Sequence, residues 1–535
     1  MSFNPEVTQD ACKEALKRLD TLICADPSSP TFGSVDREFW AYRTVRGFSS
    51  APFQHVMSGF AHLAKSSDAF DAEFLRNRAI SVMDFWLRSR NSSGSVDEWY
   101  RNEQSFCATA MGLHSACETL WLLKEDIEAP ELKIRCQSLC QTESWLSGKV
   151  NPLAANQVVA SVSGRFVLGR LLDDDGIADR ARDSLRWLNS QFARHGFLPE
   201  YGGLDFGYSL LSIDLLAVAH QAGFVECEPL VDDLCRQLCT LVSASGDLPF
   251  VLGSRGTAHS FVGGVHYFSG YLSAALELRD RFAIPNSQSQ VESVTRYDDR
   301  YLATFAFAAL TRRSAFESEG RPALSRPSTP AGAFVQPSVK HAAGNGGSLY
   351  INEALGGALC WIPTSGSRVV HLGYVFTDES GCRWTSLTSV DGESGEYQFV
   401  RVSDALPLQK SESLYRLVFL LCRIPQFARL VSWWARTRVG RPNKKCTIWF
   451  AREAVSEGDH IMVHDRLRIS GHLVGRISRL VSFPFHSPSA VLIGSEGVEG
   501  YEFNRVINQR SGTEEISIHW RITTDSSTGG KLVAP

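Results

Sequence analysis

The chain lacks the features that distinguish membrane, secreted and nucleic-acid-binding proteins. No run of about eighteen uncharged apolar residues occurs, so no membrane-spanning helix is expected. Residues 1–6 contain no basic stretch followed by an apolar one, so we expect no signal peptide and a cytoplasmic location. A net charge of −4 at pH 7 gives no reason to expect nucleic acid as a partner.

The sequence also lacks the common motifs of metal, nucleotide and serine-hydrolase sites. It contains no HExxH, no P-loop, no GxGxxG in a strand–turn–helix context and no GxSxG. Its 13 cysteines are scattered without CxxC or zinc-like spacing, which favours free buried thiols in a reducing compartment. The acidic run 173–175 precedes Gly176 at a helix end and indicates a solvated loop. We therefore predict no cofactor and no metal.

The composition indicates a globular protein of more than one domain. Of the 535 residues, 44% are hydrophobic and 21% are charged, and this length exceeds one ordinary core. From about residue 8 to 312, apolar residues recur at three- and four-residue spacing, which predicts helices. Residues 317–337 are rich in Pro, Ser, Gly and Ala, as is typical of a linker. Short β-branched and aromatic runs then predict strands.

These patterns predict an α+β multidomain protein. We expect an incomplete α/α toroid at 1–316, the linker at 317–337 and an antiparallel β-sandwich at 338–535. The clearest predicted helices are 70–88, 105–123, 157–172, 178–194, 208–221 and 262–282, and the predicted strands include 347–351, 396–402, 446–450, 460–464, 490–493 and 515–522.

Three loops of the helical part share one composition. Residues 94–100, 196–203 and 246–250 each begin with glycine, carry an acid and an aromatic ring, and lie between two predicted helices. Such repetition is typical of helical-hairpin arrays, whose pairs bury their apolar faces only by stacking. If the array closes into a ring, the loops gather at one mouth. Acids bond sugar hydroxyls and aromatic rings stack on sugar faces, so this mouth suits a carbohydrate.

One segment of the β region differs from its surroundings. Leu414–Val439 carries five arginines among Leu, Phe, Val and the pair Trp433–Trp434, and has no acidic residue. A basic, tryptophan-bearing amphipathic segment is typical of helices that lie in a membrane interface. One hypothesis is peripheral contact with the inner face of a membrane or with a lipid-linked glycan; the other is a helix packed on the sandwich. The insertion spans about 411–442, and Pro425 is expected to kink or divide it.

A helical toroid followed by a β-sandwich resembles the heparinase II/III and alginate lyase group of polysaccharide lyases. In that family an Asn near a helix start holds the substrate carboxylate, a later Tyr works as acid or base, and His residues assist. The resemblance implies these roles for Asn156, in the helix start Ala155–Val158, and for Tyr208, fifty-two positions on. It implies an assisting role for His341, at the start of the β region. Gln157 stands where some members have a His, which removes one candidate base.

The loops supply further candidates. Residues 97–105 form the densest polar and aromatic cluster, and His266 is preferred to His259 because neighbouring glycines allow a ligand to approach closely. For each of these residues the alternative is a structural role, as a helix cap or as part of the core. The catalytic candidates are Asn156, Tyr208, His266 and His341, and the substrate-binding candidates are Tyr100, Glu103, Gln157, Glu200, Tyr201, Asp205 and Arg255.

The leading hypothesis is β-elimination on an acidic, uronate-containing polysaccharide, in envelope or capsular polysaccharide metabolism. Asn156 would stabilise charge on the substrate carboxylate. Tyr208, with a His, would remove the α-proton and protonate the leaving oxygen. The same proton transfers without bond cleavage would be C5-epimerisation. The predicted partner is an acidic polysaccharide or a lipid-linked glycan.

Two alternatives come from other classes. An inverting glycoside hydrolase needs two carboxylates, which Glu103 or Asp97 could supply together with Glu200 or Asp205. A non-catalytic glycan-binding assembly factor would need the mouth but no proton transfer.

Overall fold

The protein is represented by a computed structural model that describes the greater part of the chain. The described residues are 5–42, 47–66, 70–257, 260–282, 298–318, 339–344, 346–364, 368–381, 383–385, 396–401, 412–438, 445–457, 460–470, 477–482, 502–508, 513–523 and 532–533.

Side chains at the helix starts fix several boundaries. Asp71, Ser105, Asp174 and Asp205 each accept a hydrogen bond from the backbone N–H three residues later, which caps the helix that follows. Gly196 ends the helix that Asp174 begins, and it adopts the left-handed conformation with φ 70°. The helices are Pro5–Asp20 (α1), Arg37–Tyr42 (α2), Val56–Ser66 (α3), Ala72–Ser89 (α4), Phe106–Leu123 (α5), Ala129–Leu146 (α6), Ala155–Leu172 (α7), Asp175–His195 (α8), Phe206–Gln221 (α9), Glu228–Leu241 (α10), Gly263–Phe268 (α11), Ser273–Arg281 (α12), Asp299–Tyr301 (α13), Phe307–Ser318 (α14), Glu412–Leu421 (α15) and Pro425–Arg438 (α16).

Six of these helices form the inside of a ring. Each helix contacts the next in the order α3, α5, α7, α9, α11 and α14, and α14 contacts α3, which closes the ring. Helices α5, α7 and α9 are buried on nearly all sides, as central helices must be, whereas α8 buries one apolar stripe. The loops before α5, α7, α9 and α11 lie together at one end of this ring, which we call the mouth.

A charged network joins the inner helices inside the ring. Arg312 donates to both carboxylate oxygens of Glu118, each at 2.6 Å, and to Asp214 Oδ2 at 2.9 Å. His62 Nε2 lies 2.8 Å from Glu118 Oε1. All four side chains are buried, and they belong to α14, α5, α9 and α3. The network therefore holds four helices of the ring in one register.

The described residues after 338 form two antiparallel sheets. One sheet has the order β1-β2-β3-β4; the other has the order β10-β5-β6-β7-β8-β9-β12-β11, with β13 on β12. Leu359 and Trp361 of the first sheet share an apolar core with Phe450, Val463 and Ile518 of the second. The strands are Val339–Gly344 (β1), Gly347–Asn352 (β2), Ala358–Pro363 (β3), Val369–His371 (β4), Tyr374–Asp378 (β5), Arg383–Thr385 (β6), Glu396–Arg401 (β7), Lys445–Glu457 (β8), His460–Ser470 (β9), Ile477–Ser482 (β10), Glu502–Asn508 (β11), Thr513–Thr523 (β12) and Leu532–Val533 (β13).

The sheets contact the helical part beside the loop that precedes α11. Arg368 donates to Asp247 Oδ2 at 2.5 Å, and Asn352 Nδ2 donates to the Leu252 carbonyl at 2.6 Å. The β region is thereby joined to the mouth side of the ring.

The coarse prediction, a helical part followed by antiparallel sheets, is confirmed. The predicted helix 262–282 is instead two helices, α11 and α12, because the chain turns at 269–272 around Gly270. Pro425 divides the basic segment as predicted, and it is the first residue of α16. The predicted strand 490–493, His259 and nearly all of the linker lie outside the described residues, and the domain limits stay a prediction. Nowhere in the described part is a helix both long and apolar enough to span a membrane.

Candidate functional site

Glu200 joins the starts of two inner helices at the mouth. Its carboxylate accepts the Asn156 backbone N–H at 2.7 Å, one residue into α7. Burial raises the pKa of Glu200 well above its ordinary value, while hydrogen bonds from the Asn156 backbone and side chain act against that rise. Glu200 Oε2 has no hydrogen-bond partner among the described residues. Burial therefore favours the protonated form of Glu200, and the loops of the mouth leave one of its carboxyl oxygens without a hydrogen bond.

Asp205 has a structural role at the same place. It accepts the backbone N–H groups of Tyr208 at 3.0 Å and Arg255 at 2.9 Å, and it is fully buried. Asp205 thus caps α9 and ties the loop before α9 to the loop before α11.

Arg255 and Tyr201 form an exposed cation–aromatic pair. The Arg255 guanidinium lies 4.4 Å from the centre of the Tyr201 ring, and that ring is 43% exposed. The Tyr201 hydroxyl also bonds the Gln157 side chain. A ring that is held from one side and open on the other can stack on a sugar, and Arg255 places a positive charge beside it.

Tyr208 lies next to this pair on the first turn of α9. Burial raises the pKa of its phenol, the charges of Asp205 and Glu200 raise it further, and Arg255 lowers it. Tyr208 is half-buried, and it keeps its proton near neutral pH. The phenol is therefore a proton donor in the resting protein.

The loop before α5 places two glutamates at the mouth in different electrostatic environments. Burial raises the pKa of Glu103 to about 7, although its carboxylate accepts the backbone N–H groups of Glu98 and Trp99 at 2.9 and 2.7 Å. Glu98 instead forms an ion pair with Arg300 at 3.0 Å. The Arg300 guanidinium also lies 4.4 Å from the centre of the Trp99 ring, which is 56% exposed. A second aromatic ring braced by an arginine thus stands at the mouth.

The Cys107 thiol interacts electrostatically with residues of both groups. Its pKa is raised by burial and also by the charges of Glu98, Glu103 and Glu200. The same thiol acts on the pKa of Tyr208. The structure therefore brings Glu103 into one neighbourhood with Asn156, Gln157, Glu200, Tyr201, Asp205, Tyr208 and Arg255. Tyr100 lies in the same loop as Glu103, whose backbone N–H donates to the Tyr100 carbonyl at 3.2 Å.

Three residues of the mouth have a left-handed backbone that non-glycine residues rarely adopt. The φ values are 61° for Asn102, 55° for Gln104 and 52° for Tyr201. Such residues cost about 1–3 kcal/mol each and persist where their surroundings fix them. Asp97 accepts the N–H groups of Asn102 at 2.7 Å and Gln104 at 2.9 Å, and the Leu153 carbonyl accepts the N–H of Tyr201 at 2.5 Å. Strain is therefore concentrated in the loops that carry the candidate residues.

His266 lies apart from these residues. The charges that act on it are Arg313, Arg279 and Asp280, and burial with the two arginines lowers its pKa to about 4. The neighbouring glycine serves packing and not ligand approach, because a Cβ on Gly264 would lie 2.5 Å from the Cα of Asp214. Asp214 is in the middle of α9, so α11 begins below the mouth.

His341 is also outside the group. Its Nδ1 lies 3.2 Å from the Thr240 carbonyl at the end of α10, and its ring stacks on Tyr350 with a centroid distance of 4.4 Å. These contacts place His341 against an outer helix. The described residues that surround Tyr208 therefore include neither predicted histidine.

Sequence reasoning missed Glu98, Trp99 and Arg300 as site residues. Glu98 and Trp99 belong to the loop 97–105 that the sequence analysis identified, but only the three-dimensional structure shows that they lie at the mouth. Arg300 is separated from Glu98 by 202 positions, and no local pattern indicates their pairing.

A cavity of about 560 Å³ lies at the opposite end of the ring. Its walls include Lys65, Trp121 and Tyr271, and His220 there lies 2.9 Å from the Tyr267 hydroxyl. The second nitrogen of His220 lies 3.0 Å from Glu228 Oε1. No group of three or more potential metal-ligand side chains occurs in the described part of the chain.

No family model and no curated protein matches the chain. Among solved structures, the chain is similar to a chondroitin AC lyase of Streptomyces coelicolor A3 in complex with chondroitin sulphate. The identity is 12%, the match covers 99% of this chain and 80% of that one, and the TM-score is 0.45. It is also similar to endoglucanase CelQ from Clostridium thermocellum complexed with cellobiose and cellotriose, at 11% identity, 99% and 92% coverage and a TM-score of 0.29. Likeness at this level assigns neither family nor activity, so function must be argued from the site.

Proposed function

We propose that this protein is a carbohydrate-active enzyme that cleaves an acidic, uronate-containing polysaccharide or lipid-linked glycan by β-elimination at the mouth. The observation that carries the proposal is the position of Arg255, on the exposed Tyr201 ring and beside Tyr208 and Glu200. The cation can neutralise a uronate carboxylate, the ring can stack on the sugar and the phenol can protonate the leaving oxygen, while Glu103 is the candidate base for the C5 proton. A role in envelope or capsular polysaccharide metabolism is consistent with this substrate class.

The first step is to stabilise charge on the substrate carboxylate. Arg255 would pair with the carboxylate, and the neutral carboxyl of Glu200 and the Gln157 amide would bond it. As the C5 proton leaves, negative charge spreads onto these carboxylate oxygens, and groups already positioned there lower the barrier. Asn156 would act indirectly, because its amide is bonded to Glu200.

The second step is the transfer of two protons. Because its pKa is near 7, Glu103 is the carboxylate best suited to accept the C5 proton at neutral pH. Tyr208 would give its proton to the glycosidic oxygen as the C4–O bond breaks and the C4–C5 double bond forms. Tyr208 is then the acid and not the base, because its raised pKa keeps the phenol protonated. If the C4–O bond stayed intact, the same groups would perform C5-epimerisation.

Glycoside hydrolysis is the second candidate, and it is favoured by the two glutamates of the loop before α5. Glu103 with a pKa of about 7 can serve as the acid, while Glu98, which is paired with Arg300, can serve as the base. Environments that separate two carboxyl groups in this way are typical of hydrolase acid–base pairs.

The test is to incubate the protein with a panel of acidic polysaccharides and measure two products at once. Elimination releases a reducing end together with ultraviolet absorbance from the unsaturated uronate. Hydrolysis releases the reducing end alone, and epimerisation in heavy water incorporates deuterium with neither product. Binding without any of these changes would favour the glycan-binding assembly factor over the enzyme.

A matched pair of variants locates the reaction. We expect Tyr208→Phe to lower turnover by about 10²–10⁴-fold, the usual contribution of general acid–base catalysis. Tyr267→Phe removes the hydroxyl bonded to His220 at the other end of the ring, and it should leave turnover near that of the wild type. The reverse result would place the chemistry in the opposite cavity and would contradict the proposed site.

A further inference from the structure

Helices α15 and α16 expose a row of large apolar side chains. Leu417, Leu420, Ile424, Leu430 and Trp433 are 50%, 57%, 48%, 56% and 62% exposed. Phe427 continues the row at 42% exposed. Positions three and four apart share one face of a helix, so this exposed stripe runs along α15 through Leu417 and Leu420, passes Ile424 between the helices, and continues on α16 through Phe427, Leu430 and Trp433. We call this stripe, from Leu417 to Trp433, the apolar face.

The charged residues from 414 to 439 are all basic, and Glu412, the first residue of α15, is the acid next to them along the chain. Arg416 on α15, Arg423 between the two helices and Arg429 on α16 are all exposed. The sequence from 414 to 439 contains five arginines and no acid. Arginines that border an exposed apolar stripe complement a surface with apolar chains beneath anionic groups, which is the structure of an anionic lipid interface. A second protein chain would have to bury the arginines against acids of its own.

The other side of these helices is attached to the mouth. Cys422 and Ala428 are fully buried. Asn102 Nδ2 donates to the carbonyl of Cys422 at 3.0 Å and to that of Arg423 at 3.2 Å, where α15 ends. Asn102 is one of the strained residues fixed by Asp97 in the loop before α5. The apolar face is therefore joined, through one asparagine, to the loop that carries Glu103.

We propose that α15 and α16 lie in the interface of an anionic membrane and hold the mouth against the lipid surface. The apolar face enters the boundary between headgroups and acyl chains, and the arginines contact lipid phosphates. Together with the proposed function, this docking restricts the substrate to glycans that are attached to or lie on that membrane. The restriction of the substrate rests on the proposed function, whereas the docking does not.

The experiment is vesicle co-sedimentation of the full chain at low and high salt. Vesicles of pure phosphatidylcholine are compared with vesicles that also contain phosphatidylglycerol. We expect binding to the anionic vesicles alone, weakened by salt. Arg429→Gln should weaken partitioning by about fivefold, and the triple change of Arg416, Arg423 and Arg429 to Gln by about a hundredfold. Arg186→Gln is the matched control, because Arg186 is 71% exposed on the outer helix α8.

The apolar part is tested by Leu420→Ser with Trp433→Ser. Its control is Ile134→Ser, because Ile134 is 66% exposed on α6, far along the chain from the apolar face. The double variant should lose vesicle binding but keep its turnover on a soluble polysaccharide, whereas Ile134→Ser should keep both. Because the turnover is measured without lipid, failure of the docking and failure of the proposed chemistry give different results.

Three outcomes would overturn the docking. The first is no binding to anionic vesicles at low salt. The second is equal loss in the Ile134→Ser control, which would indicate general unfolding. The third is a concentration-dependent dimer on size-exclusion chromatography that the double variant abolishes, because the apolar face would then be covered by a second copy.

Discussion

Replacing Glu103 by Gln tests the electrostatics of the mouth without needing a substrate. The side chain keeps its size, and an amide oxygen can accept the backbone N–H groups of Glu98 and Trp99 that the carboxylate accepts now. What changes is that the glutamine amide, unlike the glutamate carboxyl group, does not release a proton. Burial raises the pKa of Glu103 from an ordinary 4.5 to about 7, so ionising it costs more in the folded protein than in the unfolded chain.

The sign and size of the effect follow from proton linkage. Between pH 4.5 and about 7, the folded protein keeps on Glu103 a proton that the unfolded chain has released. The free energy of unfolding therefore falls as pH rises, by about 1.4 kcal/mol per pH unit. This loss of unfolding free energy is complete above the pKa of Glu103 in the folded protein, and it is about 3 kcal/mol for the full shift of that pKa from 4.5 to about 7. Glu103→Gln removes this loss, so the variant should exceed the wild type in stability at alkaline pH and match it in acid.

The assay is urea unfolding followed by tryptophan fluorescence, with midpoints compared at about pH 5 and about pH 8. The control is Glu131→Gln: Glu131 is 60% exposed on α6 and forms an ion pair with Arg135 at 3.0 Å. Losing an exposed pair should cost less than about 1 kcal/mol at either pH. If the Glu103→Gln midpoint differs from the wild-type midpoint equally at both pH values, the pKa of Glu103 is not raised, and the argument for Glu103 as the base fails with it.

Two further predictions concern arginines with opposite roles. Arg255→Gln should raise KM for an acidic polysaccharide by about 10–100-fold, as expected for one lost hydrogen-bonded ion pair, and leave the urea midpoint unchanged; Arg279→Gln, on α12, should leave KM unchanged, and equal effects would argue against a carboxylate site at Arg255. Arg312→Met should lower the free energy of unfolding by about 3–5 kcal/mol, because Glu118 and Asp214 would stay buried without their cation. Adding Glu118→Gln to Arg312→Met should restore part of that loss in the same urea assay, and no recovery would contradict this account of the network.

The arrangement of the loops was predictable because it depends on local rules. Helix starts are set by residues such as Ser105 and Asp205, whose side chains cap the next helix, and such caps are visible in a sequence. Once the starts of the inner helices are known, ring closure places Asn156, Glu200 and Tyr208 at the same end. Their roles as site residues stay predictions, since the sequence contains the helix starts but not the chemistry.

The placement of His266 and the omission of Arg300 have different physical origins. Periodicity marks a helix but not the depth at which it enters the ring, and α11 packs against the middle of α9 through the Gly264 N–H, which donates to Asp214 at 2.9 Å. His266 is carried below the mouth for that reason. Arg300 was missed for a different reason. Its partner Glu98 lies in a distant part of the sequence, and only tertiary packing brings the two residues together.

The hydrogen bonds that they accept divide the carboxylates of the mouth into two kinds. Asp97 and Asp205 each accept backbone N–H groups at both carboxylate oxygens, which are thus occupied by the loops that they hold in place, whereas the two N–H groups that Glu103 accepts both donate to its Oε2. An aspartate used in this way cannot also move a proton without releasing its loop, which removes both from the hydrolase alternative. Glu98, Glu103 and Glu200 remain: Glu98 is paired with Arg300, burial raises the pKa of Glu103 to about 7, and burial raises the pKa of Glu200 well above its ordinary value. Carboxyl groups in three such different environments are typical of functional sites, and this is why we propose that the reaction occurs at the mouth.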